Sequence, residues 1–379
     1  MIKGFKIRLY PTKEQEELMW KHIHASRFIY NYMLALQNER YENGNKYLSR
    51  FDMIKMLPQI KERENFKWLC EVSAATLSIS STDLHNSFSR FFKKQSKHPK
   101  FKSKKRAKSK FPIRSNKMYF TESCVNIEKI GKVKYKTDFD FPKGRGFKYI
   151  NARVSFINGK WMLSFGIECE NQVQELNDFS MGIDLGIKEL AVVAYGNDDS
   201  LVFHNINKSK TVRTIWHNIK ILQRRISRKY EKNKHGNKFV KTRNIERCER
   251  RLLKMYARLS NIRNNYIHQT THRLVSMLPK RVVMENLNVQ GMMKNRHISK
   301  AVHEQCLYEF IRQMKYKCEW NGIEFIQVDR FYPSSKTCSF CGNIKKDLKL
   351  SDRKYVCSEC GFTIDRDLNA AINLMRYED

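Results

Sequence analysis

Four cysteines near the C-terminal end of this 379-residue chain limit its possible folds more than any other feature. They form two Cys-x-x-Cys pairs separated by fifteen residues: Cys338, Cys341, Cys357 and Cys360. Pairs at this separation are typical of a zinc ribbon, in which two hairpin turns each present two thiolates to one tetrahedral, structural Zn²⁺. The six other cysteines have no regular spacing, and we interpret them as reduced, buried small residues.

The charge balance predicts a polyanionic partner. The formal net charge is +35, whereas 41% of the residues are hydrophobic and 12% are aromatic, which is enough for folded cores. Since no apolar run approaches ~18 residues, we expect no membrane span. The start of the chain does not read as a secretory signal, and a cytoplasmic protein is expected. Nucleic acid is then the predicted partner.

The first half of the sequence alternates between strand and helix patterns. Residues Lys3–Tyr10 alternate as a strand, and Thr12 with Gln15 forms a capping box before a long helix. Further helices are predicted over 51–92. From 118 to 170 the pattern is β, with a type I′ hairpin at Asn158-Gly159. If the first strand pairs with this later set, the helices are an insertion in a small barrel.

A basic run separates these helices from the β region. Arg90–Lys117 contains thirteen Lys or Arg residues and no acid, with Phe101 and Phe111 spaced through it. A solvated linker is the simpler interpretation of such a run. The missing acids and the interspersed aromatic residues favour a nucleic-acid contact that reads phosphates without sequence information.

From about residue 179 the pattern indicates a second domain that is organised around an apolar strand, Met181–Ile187, with one carboxylate inside it. The further elements predicted in chain order are short strands at Leu190–Tyr195 and Leu201–His204 joined by a turn at Asn197–Asp199, basic helices at 209–231 and 242–277, a strand at Arg281–Glu285, a helix at 301–321, a strand at Glu324–Val328, the ribbon, and a last helix from Leu368. This order, without the ribbon, is that of a ribonuclease-H-like fold.

Three acids occupy positions where that fold would bring them together: Asp184 within its strand, Glu285 at the end of another, and Asp367 at the start of the last helix. A carboxylate in an apolar strand is costly unless it is paired or holds a cation. Pairing with Lys or Arg explains each acid singly, but the three together favour Mg²⁺ or Mn²⁺. Two such ions would support phosphodiester hydrolysis.

Other residues compete for these roles. Asp365 also lies beside the helix start, where it could instead act as a cap. Glu246 and Glu249 on the long basic helix stay possible, although they have cationic neighbours and no strand context. Histidines elsewhere are interpreted as packing or surface residues: His204, His217 and His268.

Several segments resemble one known family, the TnpB proteins, which are transposon-encoded RNA-guided nucleases related to type V CRISPR effectors. The matching segments are Tyr10-Pro11-Thr12 with Gln15, Pro99-Lys100-Phe101-Lys102, Gly182-Ile183-Asp184-Leu185-Gly186, Met284-Glu285-Asn286-Leu287, Tyr332-Pro333-Ser334-Ser335-Lys336-Thr337-Cys338 and Asp365-Arg366-Asp367-Leu368-Asn369-Ala370-Ala371. They are spread over nearly the whole chain.

The resemblance implies an α+β multidomain fold. A wedge-like β-barrel (1–10 and 118–178) would be interrupted by a helical recognition lobe (11–117). A RuvC-like, ribonuclease-H-like nuclease domain (179–330 and 362–379) would carry the inserted zinc ribbon (331–361).

The resemblance also implies the chemistry. Asp184, Glu285 and Asp367, rather than Asp365, would be the catalytic metal-binding acids, and the four cysteines would hold zinc. The protein would be a monomer with a guide RNA from the transposon end, and would cleave double-stranded target DNA beside a short adjacent motif. The alternatives are an RNA-guided DNA-binding regulator or transposition modulator without cleavage, and a transposase that joins strands.

Overall fold

The computed structural model describes residues 1–104, 107–144, 146–169, 174–197, 199–349 and 352–378. It divides into two units, Met1–Glu170 and Asn171–Asp379. Lys105 and Arg106 of the basic run, and Asp198 of the predicted turn, lie outside the described residues. Within the described ranges, no helix has the length and apolar character needed to cross a membrane.

The first unit combines a helical part with a sheet. Its elements in chain order are β1 (Ile2–Tyr10), α1 (Lys13–Glu42), α2 (Arg50–Lys55), α3 (Leu57–Glu62), a 3₁₀ helix (Glu64–Glu71), α4 (Ala74–Phe92), β2 (Lys110–Pro112), a 3₁₀ turn (Ser115–Lys117), β3 (Tyr119–Phe120), β4 (Cys124–Ile127), β5 (Gly131–Lys136), β6 (Tyr149–Ile157) and β7 (Lys160–Glu168). The predicted capping box is confirmed, because Thr12 and Gln15 exchange side-chain and backbone hydrogen bonds of 3.1 and 3.3 Å.

The sheet of this unit is antiparallel, with strand order β2-β6-β7-β1-β5-β4-β3. Strand β1 pairs with β7 and β5, as predicted, and the β6–β7 hairpin turns at Asn158 and Gly159 with φ of 52° and 78°. Positive φ at both positions is what a type I′ turn requires. Among the described residues the pairing ends at β2 and β3, so closure into a barrel stays a prediction.

Phe111 corrects one part of the sequence interpretation. It lies in β2, is fully buried and packs in the sheet core. It therefore cannot stack on a nucleic acid, whereas Phe101 keeps 58% of its surface exposed. The pattern misled because β2 is only three residues long and its apolar residues are embedded in a run of cations.

The second unit is built around a mixed sheet. Its elements in chain order are β8 (Asn177–Leu185), β9 (Glu189–Tyr195), β10 (Asp199–His204), a 3₁₀ turn (Ile206–Lys208), α5 (Lys210–Lys232), β11 (Lys234–His235), β12 (Lys238–Phe239), α6 (Arg243–Val275), β13 (Pro279–Glu285), α7 (Val289–Lys294), α8 (Ser299–Gln305), α9 (Leu307–Asn321), β14 (Glu324–Val328), β15 (Lys354–Val356), β16 (Thr363–Asp365) and α10 (Arg366–Met375).

The strand order of the mixed sheet is β10-β9-β8-β13-β14. Strands β8, β9 and β10 form the predicted antiparallel meander, and β13 and β14 run parallel to β8. Helices α6 and α9 pack on one face of this sheet, and α10 packs on the other, against β8 and β9. The predicted α+β class is therefore confirmed.

One predicted helix is interrupted. The pattern indicated a single helix over 301–321, but Cys306 adopts a left-handed conformation (φ 54°) and divides it into α8 and α9. Gln305, immediately before this break, is buried and its amide donates to the backbone oxygens of Gly186, Ile187 and Glu189. The break thus coincides with a residue that fixes the loop after β8.

Candidate functional site

Strand β8 places Asp184 on the face of the sheet that α10 covers. Side chains alternate along a strand, so Met181 and Ile183 pack on the α6–α9 side while Gly182 and Asp184 face the other way. Across the β8–β9 ladder Asp184 lies opposite Val192, which packs against α10. The predicted strand context of this carboxylate is therefore present.

Glu285 lies at the end of β13, beside Asp184. Strands β8 and β13 are parallel, and their register pairs Met284 with Ile183, so the next residue on each strand is one of the two acids. Carboxyl ends of parallel strands meet at one edge of a sheet, which is where open α/β sheets place their sites. The Glu285 carboxylate accepts a hydrogen bond from the Ser334 hydroxyl.

The start of α10 gives Asp365 and Asp367 different roles. Asp365 is the N-cap, and its Oδ1 accepts from the backbone N–H groups of Asp367 (3.0 Å) and Leu368 (3.3 Å). Asp367 lies in the first turn, and its Oδ1 is 3.2 Å from an Arg366 guanidinium nitrogen. The competitor is thus used as a cap, and Asp367 follows it in the first turn of the helix.

The charges of the other two acids act on Asp184. Its pKa is raised well above the usual value, first by burial, then by the charge of Glu285 and next by that of Asp367, while Arg366 opposes the shift. The four cysteine sulfurs all lie within 4.8 Å of one another, whereas the oxygens of the three carboxylates do not form so compact a set. Their oxygens nevertheless are the donors that hard divalent cations prefer.

The other candidate acids and histidines lie elsewhere in the second unit. Glu249 pairs with Lys241 at 2.6 Å and accepts from the Tyr230 hydroxyl at 2.7 Å, so its charge is already satisfied. Glu246 is exposed on α6. The three histidines His204, His217 and His268 are on the surface, as the sequence predicted. His204 also pairs with Glu189.

The four cysteines converge as the spacing predicted. Their sulfur atoms all lie within 4.8 Å of one another, with Cys338–Cys360 and Cys341–Cys357 separations of 3.7 and 3.6 Å. Four sulfurs at ~2.3 Å from a tetrahedral Zn²⁺ are about 3.8 Å apart. Backbone N–H donation, first from Cys360, lowers the pKa of Cys357 to about 6, which favours a thiolate ligand. The cluster therefore fits a structural zinc ion.

Sequence reasoning missed the polar residues that join this cluster to α10. Asn369 and Asn373 are 0% and 7% exposed, and both donate to the backbone oxygen of Thr337, each at 2.7 Å. Arg376 donates to the oxygen of Ser339. The signal was present, because two asparagines four residues apart on an otherwise apolar helix face must be hydrogen-bonded if they are buried.

Helices α5 and α6 form a basic groove of about 810 Å³. Its apolar lining comes from Ile221 and Leu222 of α5 and from Met255 of α6. The cations that line it are Arg224, Arg225, Arg228, Lys229, Lys232 and Arg251. Such a surface suits a phosphate backbone.

The first unit also carries a basic pocket, of about 220 Å³, at the edge of the predicted nucleic-acid run. Lys102 lies over the Tyr30 ring at 3.3 Å, and Asn31 exchanges hydrogen bonds of 2.8 and 2.9 Å with the Lys102 backbone. Burial lowers the pKa of Lys102 to about 8. The predicted nucleic-acid contact of this run stays a prediction.

Two acids at the ends of parallel strands, a four-cysteine cluster and a net charge of +35 together indicate a class of protein that acts on nucleic acids. Family models agree. An IS605 OrfB helix-turn-helix domain matches residues 1–46, the IS605 OrfB model described as a probable transposase matches 164–296, and a Cas12f1-like TNB domain matches 308–374.

Relatives match the chain almost end to end. A Streptomyces pristinaespiralis protein, provisionally named an RNA-guided DNA endonuclease, is 27% identical over 98% of this chain and 88% of its own length. Escherichia coli (strain K12) InsQ, with the same provisional description, is 29% identical over 99% and 92%. A solved structure of CasPhi-2 (Cas12j) bound to crRNA is 11% identical, with a TM-score of 0.47, and covers 99% of this chain and 97% of that one.

The chain is therefore similar to the TnpB proteins, the OrfB proteins of IS605-type transposons, over nearly its whole length. The resemblance stated from its sequence motifs is confirmed.

Proposed function

We propose that this protein is an RNA-guided, divalent-metal-dependent DNA endonuclease with a RuvC-like site formed by Asp184, Glu285 and Asp367. The observation that carries the proposal is the parallel β8–β13 register, which sets Asp184 beside Glu285; the charges of Glu285 and Asp367, which both help to raise the pKa of Asp184, support it. The strand order of the mixed sheet, with its second strand antiparallel, supports a ribonuclease-H-like domain.

The three carboxylates would hold Mg²⁺ or Mn²⁺. When bound, such ions supply a nucleophile from water near neutral pH and stabilise the charge that develops on the scissile phosphate. In this proposal the fold positions three acids that are distant in sequence. The β8 ladder would position Asp184, the parallel strand β13 would position Glu285, and the capped start of α10 would position Asp367.

Guide RNA and double-stranded DNA are the proposed partners. In this proposal base pairing reads the target, and the protein contributes shape and backbone contacts beside a short adjacent motif. The relatives provisionally named RNA-guided DNA endonucleases support this, as do the exposed cations of α5. The protein would act as a monomer with its RNA. Zinc in the four-cysteine cluster would be structural.

The test is cleavage by protein co-expressed with the RNA of its transposon end. Target DNA that matches the guide should be cut in Mg²⁺ or Mn²⁺, and Asp184→Ala should keep DNA binding. Because each metal ion supplies several kcal/mol of transition-state stabilisation, the cleavage rate of the Asp184→Ala variant should fall by roughly 10³-fold or more. Glu246→Ala, which removes an exposed acid of α6, is the matched control and should cleave normally.

The outcomes separate the competing functions. Cleavage that survives Asp184→Ala at the wild-type rate would remove the active-site assignment. Guided binding without cleavage by the wild-type protein would point to a regulator. Joining of transposon ends in a strand-transfer assay would point to a transposase, and we expect that assay to be negative.

A further inference from the structure

Ser334 connects the segment before the cysteine cluster with the carboxylate of Glu285. Its side chain is buried, with 1% of the residue exposed, and its hydroxyl donates to Oε1 of Glu285. The backbone around it is a tight turn: the N–H of Ser334 donates to the oxygen of Tyr332 (2.9 Å), and the oxygen of Pro333 accepts from Lys336 (2.9 Å). The hydroxyl is therefore held in place by its own backbone.

Helix α10 holds the same segment from the opposite side. Asn373 donates to the backbone oxygens of Ser334 and Thr337, both at 2.7 Å. Asn369 donates to the oxygen of Thr337 at 2.7 Å and accepts from the N–H of Ser339 at 3.0 Å. The segment is thus clamped between the helix that carries the third acid and the strand that ends in the second.

The cysteine cluster continues this segment directly. Cys338 follows Thr337, its N–H donates to the oxygen of Asn343 at 2.8 Å, and Tyr355 donates its hydroxyl to the oxygens of Lys336 and Asn343 at 3.2 and 3.3 Å. Because the four sulfurs fix where Cys338 lies, their order is transmitted to Ser334 through four residues of hydrogen-bonded backbone.

We propose that Ser334 is a positioning residue that orients the Glu285 carboxylate for divalent-metal binding, and that the zinc cluster acts on the nuclease site through it. The inference rests on the proposed function. A glutamate side chain has several rotamers, and a metal ion must select one. The Ser334 hydroxyl occupies one carboxylate oxygen, which fixes the rotamer and leaves the other oxygen for the ion.

The experiment measures metal binding separately from cleavage. The protein–guide RNA complex, without DNA, is titrated with Mn²⁺, and free Mn²⁺ is followed by electron paramagnetic resonance. Partners of this kind typically contribute ~10–100-fold to metal affinity. We therefore expect Ser334→Ala to weaken Mn²⁺ binding about tenfold or more. In cleavage assays the Mg²⁺ concentration for half-maximal rate should rise by the same factor, with the rate recovering at high Mg²⁺.

Matched variants isolate the hydroxyl. Ser335→Ala, one residue further along, should bind Mn²⁺ like the wild type, and Ser334→Thr, which keeps a hydroxyl, should do so too. Ser334→Cys keeps a side chain of similar shape but has only a weak donor, so it should also bind Mn²⁺ more weakly. It replaces Ser334→Ala in the test if that variant does not fold. Zinc content by elemental analysis should stay unchanged in all four.

The zinc link is tested with cysteine variants in the same titration. Cys357→Ser should lose zinc and also bind Mn²⁺ more weakly, whereas Cys70→Ser, which removes an exposed cysteine of the first unit, should change neither. Mn²⁺ binding by Ser334→Ala or Ser334→Cys equal to that of the wild type would overturn the inference alone. A wild-type complex that neither binds Mn²⁺ nor cleaves would overturn the proposed function as well.

Discussion

Gly182 lies where helix α10 packs closely against β8, the central strand of the mixed sheet. A Cβ at this position would lie 2.1 Å from the oxygen of Ala371, 2.3 Å from the nitrogen of Met375 and 2.9 Å from the carbonyl carbon of Leu374. All three are backbone atoms, so no side-chain rotation can relieve the contact. Gly182→Ala must therefore move α10 or β8.

The size of that movement follows from the same distances. Ordinary Cβ contacts begin near 3.4 Å, so the 2.1 Å contact requires a displacement of about 1.3 Å. Asp184 lies two residues along β8, on the same face, and Asp367 lies in the first turn of α10. A misplacement of about 1 Å between reacting groups can cost ~10²-fold in rate. Overpacking of this kind also lowers the free energy of unfolding by ~1–3 kcal/mol.

The assay compares DNA cleavage, guide RNA affinity and thermal unfolding for wild type, Gly182→Ala and a control. Gly4→Ala is the matched control, since Gly4 lies within strand β1 and a Cβ there meets no atom within 4 Å. We expect Gly182→Ala to keep RNA binding and to cleave roughly 10²-fold more slowly, with Gly4→Ala near wild type. Cleavage by Gly182→Ala at the wild-type rate would show that the acids do not depend on this contact.

Two further predictions concern stability. Cys306 is a non-glycine residue in a left-handed conformation, which costs ~1–2 kcal/mol, so Cys306→Gly should unfold at a denaturant concentration equal to or above that of wild type, and Cys306→Val clearly below it. His22 is buried between the oxygen of Leu18 (2.7 Å) and the N–H of Ser73 (3.1 Å), and burial lowers its pKa. Neutral His22 therefore stabilises the folded state fully above the unfolded pKa of about 6.5, and this stabilisation is lost as the pH falls below that value. His22→Leu should reduce the slope of unfolding free energy against pH between 7 and 5 by up to ~1.4 kcal/mol per pH unit. Equal slopes for the variant and the wild type would contradict this.

The sequence predicted those features that depend on neighbouring residues. The Thr12–Gln15 capping box, the Asn158-Gly159 hairpin and the paired cysteines each need only a few positions in a fixed relation, and each is present. The order of strands and helices in the second unit was also predictable, because its apolar strands and amphipathic helices alternate with turn residues.

The sequence did not reveal features that depend on distant contacts. Ser334 is separated from Glu285 by 49 positions, and nothing in its own neighbourhood indicates the hydrogen bond. Gly182 was visible as part of a motif, but its importance comes from α10, which lies almost two hundred residues further along. The Phe111 error has the same origin, since burial in β2 depends on pairing with β6 and not on the surrounding cations.

The two aspartates at the start of α10 show how a local rule and a distant contact combine. Either could have been the third acid by sequence alone. Capping favours an acceptor at the first position, and Asp365 provides it with two backbone hydrogen bonds. That cap orders the first turn of α10, which contains Asp367. The helix packs closely against β8 because Gly182 has no side chain at the contact. The N-terminal end of a helix also favours negative charge, whereas Asp184 is in an environment that disfavours it. The proposed metal site thus includes one buried carboxylate, Asp184, whose ionised form a bound cation would stabilise.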